Sequence, residues 1–266
     1  MAEFGEQRLV RSDVSFAHKA LFRVMGISDP AHYLHYRYLM MALREIGGTL
    51  PTRVLDAGCG NGDYVFFLAK HFPEAQVLGI DIHERQLVQN RAVADQLGLS
   101  NARFETDSIP QLNYSENFDL VISIDVLEHI DQQDRAFAAL ATALQPGGHA
   151  FYHIPTIRQK PVPFSRYLGG FHTWAQEEHV ADDLSADQVR MAVERSGLEV
   201  VSLRRTFGYF SGELATSLFA LPFANSLRNR ILQAFLAPAC RVFAAADVLG
   251  IESTRYAVAV LARRPK

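Results

Sequence analysis

The chain of 266 residues is 48% apolar and 21% charged, which supports a substantial core and excludes disorder as its main character. Its formal charge, 26 − 29 = −3, gives no global attraction to phosphate backbones, so a nucleic-acid partner would need a local basic patch. Two cysteines, Cys59 and Cys240, are too few for a disulfide framework or a four-cysteine zinc site.

The opening MAEFGEQRLVRSD is polar and charged, unlike the apolar region of a signal peptide. Apolar residues Tyr36, Leu39, Met40, Leu43 and Ile46 predict a one-sided helix within 14–46, and Tyr33, Tyr36 and Tyr38 are aromatics positioned to close over a ligand. Then β-branched runs alternate with helical patterns. Arg53–Ala57 reads as a strand, 63–71 as a helix, Gln76–Ile82 as a strand and 84–97 as a helix stopped by Gly98. Ala102–Thr106 and Phe118–Ile124 follow as strands, the latter apolar enough to be covered on both faces. A helix over 131–144 ends at Pro146-Gly147-Gly148, and His149–Ile154 is a fifth strand. Strands separated by helices imply a doubly wound, mostly parallel α/β sheet with right-handed crossovers.

Beyond it, Ser185 caps a helix ending before Gly197, and Leu198–Phe207 and Arg255–Ala262 alternate as two more strands. The organisation expected is one domain over 1–266: a helical cap at 1–49, a ligand-binding core at 50–155, a substrate-side loop at 156–184, and an apolar helical insertion at 208–254. Leu214–Leu227 is the longest uncharged stretch of that insertion. Pro222 interrupts it and it is shorter than the ~18–20 residues of a spanning helix, so a soluble, cytoplasmic protein is expected.

The first strand runs into Asp56-Ala-Gly58-Cys59-Gly60-Asn-Gly62 and a helix, and Asp81 stands at the end of the second strand. Alternate glycines let the backbone approach a ligand, and a carboxylate at the next strand end suits ribose hydroxyls. A dinucleotide site wants G-x-G-x-x-G; here an acid leads into D-x-G-x-G-x-G. That acid would repel a pyrophosphate and welcome an ammonium or sulfonium, which favours an aminoacyl nucleoside over a nicotinamide dinucleotide.

These residues resemble class I S-adenosylmethionine-dependent methyltransferases. Val54–Gly62 is similar to the family's first motif, Gly79–Ile82 to its second, Phe104–Asp107 to the adenine-side segment, Phe118–His129 to the fourth-strand motif, and Leu144–Gly148 to the turn before strand five. The resemblance implies a Rossmann-like fold with seven strands, N-terminal helices and an insertion between the last two strands. It implies S-adenosyl-L-methionine as cofactor, with Asp56 and Gly58 by the methionine end, Gly60 and Gly62 by the ribose, and Cys59 as a small turn residue. Asp81 would hold the ribose, Ile82 would pack on the adenine, Asp107 with Ser108 would read its edge, and Asp125 would lie near the sulfonium.

Methyl transfer needs positioning and water exclusion, and an oxygen acceptor gains from a base. His129, His153, His172 and His179 are candidates; His129 is preferred because Asp125-Val-Leu-Glu128-His129 leaves the ligand-binding edge of the sheet, and it resembles a catalytic histidine of phosphoethanolamine methyltransferases. His153 reads as a buried strand residue. A divalent cation on Asp125, Glu128 and His129, joined by His172 or His179, is the metal-dependent alternative, though relatives carry Glu where Asp125 stands. The insertion reads as core, as the wall of an apolar acceptor pocket, or as a membrane or homodimer surface.

The function expected is methyl transfer to a small or lipid-like acceptor, oxygen before nitrogen or carbon, with no nucleic-acid partner. The rivals are an adenosyl-binding adaptor without turnover and an RNA or protein methyltransferase.

Overall fold

The structure, a computed structural model, describes residues 6–11, 14, 16, 19, 30–47, 51–156, 184–207 and 257–266. Helix α1 (Pro30–Ile46) precedes β1 (Arg53–Ala57), α2 (Asp63–His71), β2 (Gln76–Asp81), α3 (Glu84–Leu97), β3 (Ala102–Thr106) and β4 (Phe118–Ile124). Then come α4 (Gln133–Ala143), β5 (Leu144–Pro155), α5 (Ala186–Arg195), β6 (Glu199–Thr206) and β7 (Ala257–Arg263). The sheet order is β3-β2-β1-β4-β5-β7-β6, with β7 antiparallel to both its neighbours and the other pairings parallel. The doubly wound, mostly parallel sheet read from the sequence is therefore the fold observed.

Strand β4 is buried along nearly all of its length because helices cover both faces. On one side α1, α2 and α3 pack Leu34, Leu39, Leu68 and Leu87 against Val54, Ile122 and Phe151. On the other, α4 and α5 bring Phe137, Leu140 and Val189 onto Leu55, Val121 and Tyr152. Each fully buried Leu, Ile or Phe contributes roughly 1.5–3 kcal/mol, so a central strand covered on both faces anchors the fold.

Several boundaries differ from the sequence reading. The predicted 131–144 helix is shorter at both ends because a 3-10 turn at Leu127–His129 precedes it and Leu144 already pairs with Phe118. The register of β4 against β5 shifts across the Pro-Gly-Gly turn, which lies inside β5 rather than before it. In α1 the buried stripe is Leu34, Tyr38, Leu39 and Ala42; Tyr36, Met40, Leu43 and Ile46 sit half-buried at its margin. Tyr36 packs edge-on against Phe67 and Tyr38 enters the core, so neither is a free flap over a ligand.

Ser185 forms the expected cap, a reciprocal pair with Gln188. Most of 14–29, the side chain of Tyr33, 157–183 with His172 and His179, and the 208–254 insertion with Cys240 lie outside the described residues. Pro155 and Thr206 both pair with Ala257, so those two segments leave, and β7 enters, at one point on the edge of the sheet. Among the described residues no helix is long and apolar enough to cross a membrane.

Candidate active site

The glycine turn after β1 is tied into β2. Gly58 and Cys59 donate backbone N–H groups to the Ile80 carbonyl at 2.9 and 2.8 Å, and Gly60 donates to Asp81 Oδ2 at 2.9 Å. Gly58 has φ +83°, and a Cβ there would stand 2.5 Å from both methyls of Val126 at the end of β4, so glycine lets the two strand ends close. Gly60, φ +48°, faces the opposite situation. A Cβ there would meet no atom within 4 Å, which leaves its backbone open to an approaching ligand.

An open cleft of about 570 Å³ lies at this C-terminal edge of the sheet, where α/β folds bind ligands. Gly58, Gly60, Asp81, Ile82, Asp107, Ser108, Asp125 and His129 line it together, as do His83, Gln86 and Ile109. Asp81 also accepts from the His83 backbone N–H at 3.0 Å. Ile82 is 65% exposed, a large apolar side chain presented to the cleft. The Asp107 N–H donates to the Asp81 carbonyl, and Asp107 Oδ1 accepts from the Ser108 N–H at 2.7 Å, which joins the ends of β2 and β3.

Asp56, Cys59 and Gly62 stand behind this wall. Gly62 closes the turn with its N–H on the Cys59 carbonyl at 2.7 Å and begins α2. Burial, followed by the charges of Asp56 and Asp81, pushes the Cys59 thiol far up, which disfavours the thiolate that a nucleophile needs. Asp56 is 1% exposed, and its Oδ2 has no hydrogen-bond partner. Burial above all, with Asp81 and Asp63 adding repulsion, raises its carboxyl well above the usual range. A buried acid with an unused oxygen, an open glycine and an exposed isoleucine together fit an adenosyl ligand that carries an ammonium.

His129 is 41% exposed in side chain, with Nε2 3.8 Å from the buried Glu128. His153, expected to be buried, is 1% exposed and binds Asp125: Nδ1 lies 2.6 Å from Oδ1. Sequence reading did not find the two other members of this group. His35 of α1 places Nε2 3.1 Å from Asp125 Oδ2, and Thr206 Oγ1 of β6 lies 2.8 Å from His153 Nε2. Among the described residues, the ligand-type side chains that cluster within 4.8 Å are His35, Asp125 and His153; the alternative cation set of Asp125, Glu128 and His129 would be completed by His172 or His179, which lie outside the described residues. Burial would raise the Asp125 carboxyl, but the His35 and His153 imidazoles outweigh it and hold it well below the ordinary range.

The N-terminal turn Glu6–Leu9 also escaped sequence reading. Gln7 donates to Asp63, and buried Arg11 donates to the Asn61 carbonyl at 3.3 Å and to Asn90 at 3.2 Å. Asn90 in turn donates to the Gly60 carbonyl at 2.8 Å, so this turn braces the glycine loop from behind. An arginine in a polar stretch gives no local signal of that contact.

Residues 51–196 match a family model described as a methyltransferase domain. A malonyl-[acyl-carrier protein] O-methyltransferase of Methylococcus capsulatus is 31% identical over 242 residues, 84% of each chain. A ubiquinone biosynthesis O-methyltransferase of Acinetobacter baumannii is 30% identical over 137 residues, and the match spans 51% of this chain and 56% of that enzyme's length. The chain thus covers only about half of that relative. Among solved structures, phosphoethanolamine N-methyltransferase 2 of Haemonchus contortus in complex with S-adenosyl-L-methionine superposes with TM-score 0.61 at 18% identity, over 100% of this chain and 61% of that one. An S-adenosylmethionine-dependent methyltransferase from Mesorhizobium loti gives TM-score 0.58 at 22% identity, over 87% and 100%. At such identities the structural likeness speaks for the fold. Because the family match runs from β1 through α5 and takes in every residue lining the cleft, the chain belongs to the class I S-adenosylmethionine-dependent methyltransferases.

Proposed function

We propose that the cleft binds S-adenosylmethionine and that the chain transfers its methyl group to an oxygen of a small or lipid-like acceptor. The observation that carries this reading is the shared cleft, which Gly60, Asp81, Asp107, Asp125 and the exposed His129 line together. The two relatives named O-methyltransferases support oxygen as the acceptor atom.

When bound, the cofactor supplies a methyl group already activated on a sulfonium. The residues then have to bind, orient and manage one proton. Asp81 accepts from the ribose hydroxyls, prealigned by Gly60; Ile82 covers the adenine face, and Asp107 with Ser108 reads its edge. Asp56 and Gly58 serve the methionine end, with Cys59 and Gly62 shaping the turn. Asp125, held ionised by two imidazoles, faces the sulfonium end. His129 takes the acceptor's proton at an imidazole nitrogen, with Glu128 beside it.

The test is methyl transfer to a panel of phenolic, carboxylic and lipid-linked acceptors. His129→Gln should lower kcat by about 100-fold, flatten the low-pH limb of the rate profile and leave cofactor affinity unchanged. An unchanged profile would remove His129 from the base role. Cofactor binding without turnover on any acceptor class would instead favour an adenosyl-binding adaptor.

A further inference from the structure

We propose that His35, Asp125 and His153 form a binding site for a divalent transition-metal ion of the Zn²⁺ type, at the junction of α1, β4 and β5. The set differs from one confined to the Asp125–His129 turn, because two of its three donors come from other elements of the fold.

One imidazole nitrogen each from His35 and His153 and one Asp125 oxygen lie within 4.8 Å of one another. Around a tetrahedral ion, with N and O donors about 2.0–2.1 Å from the metal, neighbouring donors stand about 3.3 Å apart. His153 Nδ1 lies 2.6 Å from Asp125 Oδ1 and His35 Nε2 lies 3.1 Å from Oδ2, so each imidazole stands within about 1 Å of that spacing from the carboxylate oxygen it faces. Both imidazoles are held before any ion arrives. His35 and His153 are buried, their rings meet at 4.3 Å, and Phe207 packs on both at 4.9 and 5.2 Å.

The outer contacts suit ligation. His153 turns Nδ1 to Asp125 and Nε2 to the Thr206 hydroxyl, which can donate or accept and so can follow the tautomer that frees Nδ1 for a metal. That contact crosses β7 from β5 to β6, over the small side chains Ala257 and Ala259. Backbone strain points to the same place. The described non-glycine residues with positive φ are Glu116, Asp125 and Phe207, and two of the three border this cluster, at +53° and +55°. The Asp125 side chain is 37% exposed and lines the cleft, so a bound ion would keep an open position toward it.

Two imidazole nitrogens and one carboxylate oxygen favour Zn²⁺-like ions over Mg²⁺, which prefers oxygen donors. In the transfer, the ion would present and acidify an acceptor oxygen; this role rests on the proposed oxygen methylation, whereas metal binding does not.

The experiment uses the full chain, stripped with chelator and titrated calorimetrically with ZnCl₂ and with MgCl₂, with S-adenosylmethionine titrated separately. The expected result is one Zn²⁺ per chain, bound at least about 100-fold more tightly than Mg²⁺, and weakened at least about 10-fold in both His35→Gln and His153→Gln. Co²⁺ in place of Zn²⁺ should give the visible d–d absorption of a low-coordinate nitrogen-ligated site in wild type and lose it in His35→Gln. Far-UV circular dichroism identifies a variant that has not folded, and the wild-type Co²⁺ spectrum stands without either variant. No stoichiometric Zn²⁺ in the wild-type chain, or unchanged Zn²⁺ affinity in folded variants, would overturn the site. Loss of S-adenosylmethionine binding with Zn²⁺ binding intact would overturn the cofactor reading and leave the metal site standing.

Discussion

The backbone N–H of Gly60 points at Asp81 Oδ2 across 2.9 Å, so the loop after β1 and the end of β2 form one unit. A single carboxylate therefore shapes the glycine turn and faces the cleft. Asp81→Ala should weaken S-adenosylmethionine binding by at least 10-fold, about 1.4 kcal/mol, and speed amide exchange at Gly60. Calorimetry and hydrogen exchange measure the two effects, and a loss of affinity without faster exchange would separate ribose binding from loop support.

Asp56 predicts an unusual pH dependence. Its carboxyl is raised in the fold from an ordinary value of 3.8, so the native state holds a proton that the unfolded chain releases. Stability from this group is complete below the unfolded value and is lost as pH rises toward the native one. Asp56→Asn should therefore raise the melting temperature of the ligand-free chain at pH about 7.5 by roughly 2 °C or more, gain little at pH about 4, and weaken cofactor binding. Thermal melts at the two pH values, run beside a cofactor titration, check all three.

Gly79 on β2 has no room for a side chain. A Cβ there would lie 2.7 Å from Val65 Cγ2 and 2.9 Å from Cys59 Sγ. Gly79→Ala should cost about 1–3 kcal/mol by overpacking, and Val65→Ala in the same chain should restore part of it. Denaturant unfolding of the four members of the cycle gives the coupling.

The Cys59 thiol, buried and next to two carboxylates, should be inert. In a Cys240→Ser background, a thiol reagent should leave the folded chain unmodified at neutral pH and modify one thiol per chain after denaturation. Cys59→Ala should keep turnover within about threefold, whereas a catalytic thiol would lose activity outright.

How much of this was legible beforehand follows from where the information sits in the chain. Asp56 to Gly62, Asp81, Asp107 and Asp125 all lie at or just past strand ends whose runs, such as Phe118–Ile124, announce themselves by composition. A doubly wound sheet brings such ends to one edge, so the cleft could be assembled from local patterns. The capping box at Ser185 was equally local. His35 and Thr206 were not legible, because nothing in their neighbours marks them. His35 reaches Asp125 only through the seating of α1, and Thr206 reaches His153 only because β7 inserts between β5 and β6 with alanines at the crossing. Arg11 belongs to the same class, since its partners Asn61 and Asn90 are set by the tertiary fold. His129 was legible as a cleft residue through its place after β4, while the different pairing of Asp125 depended on contacts far apart in sequence.

The most direct test of the account is a calorimetric titration of S-adenosylmethionine, and separately of NAD, into the wild-type chain after denaturing extraction has shown that no adenosylhomocysteine is retained. The expected result is one site per chain for S-adenosylmethionine with micromolar affinity, about −8 kcal/mol, and no heat from NAD. Binding of NAD alone, or of neither ligand by ligand-free folded protein, would contradict it.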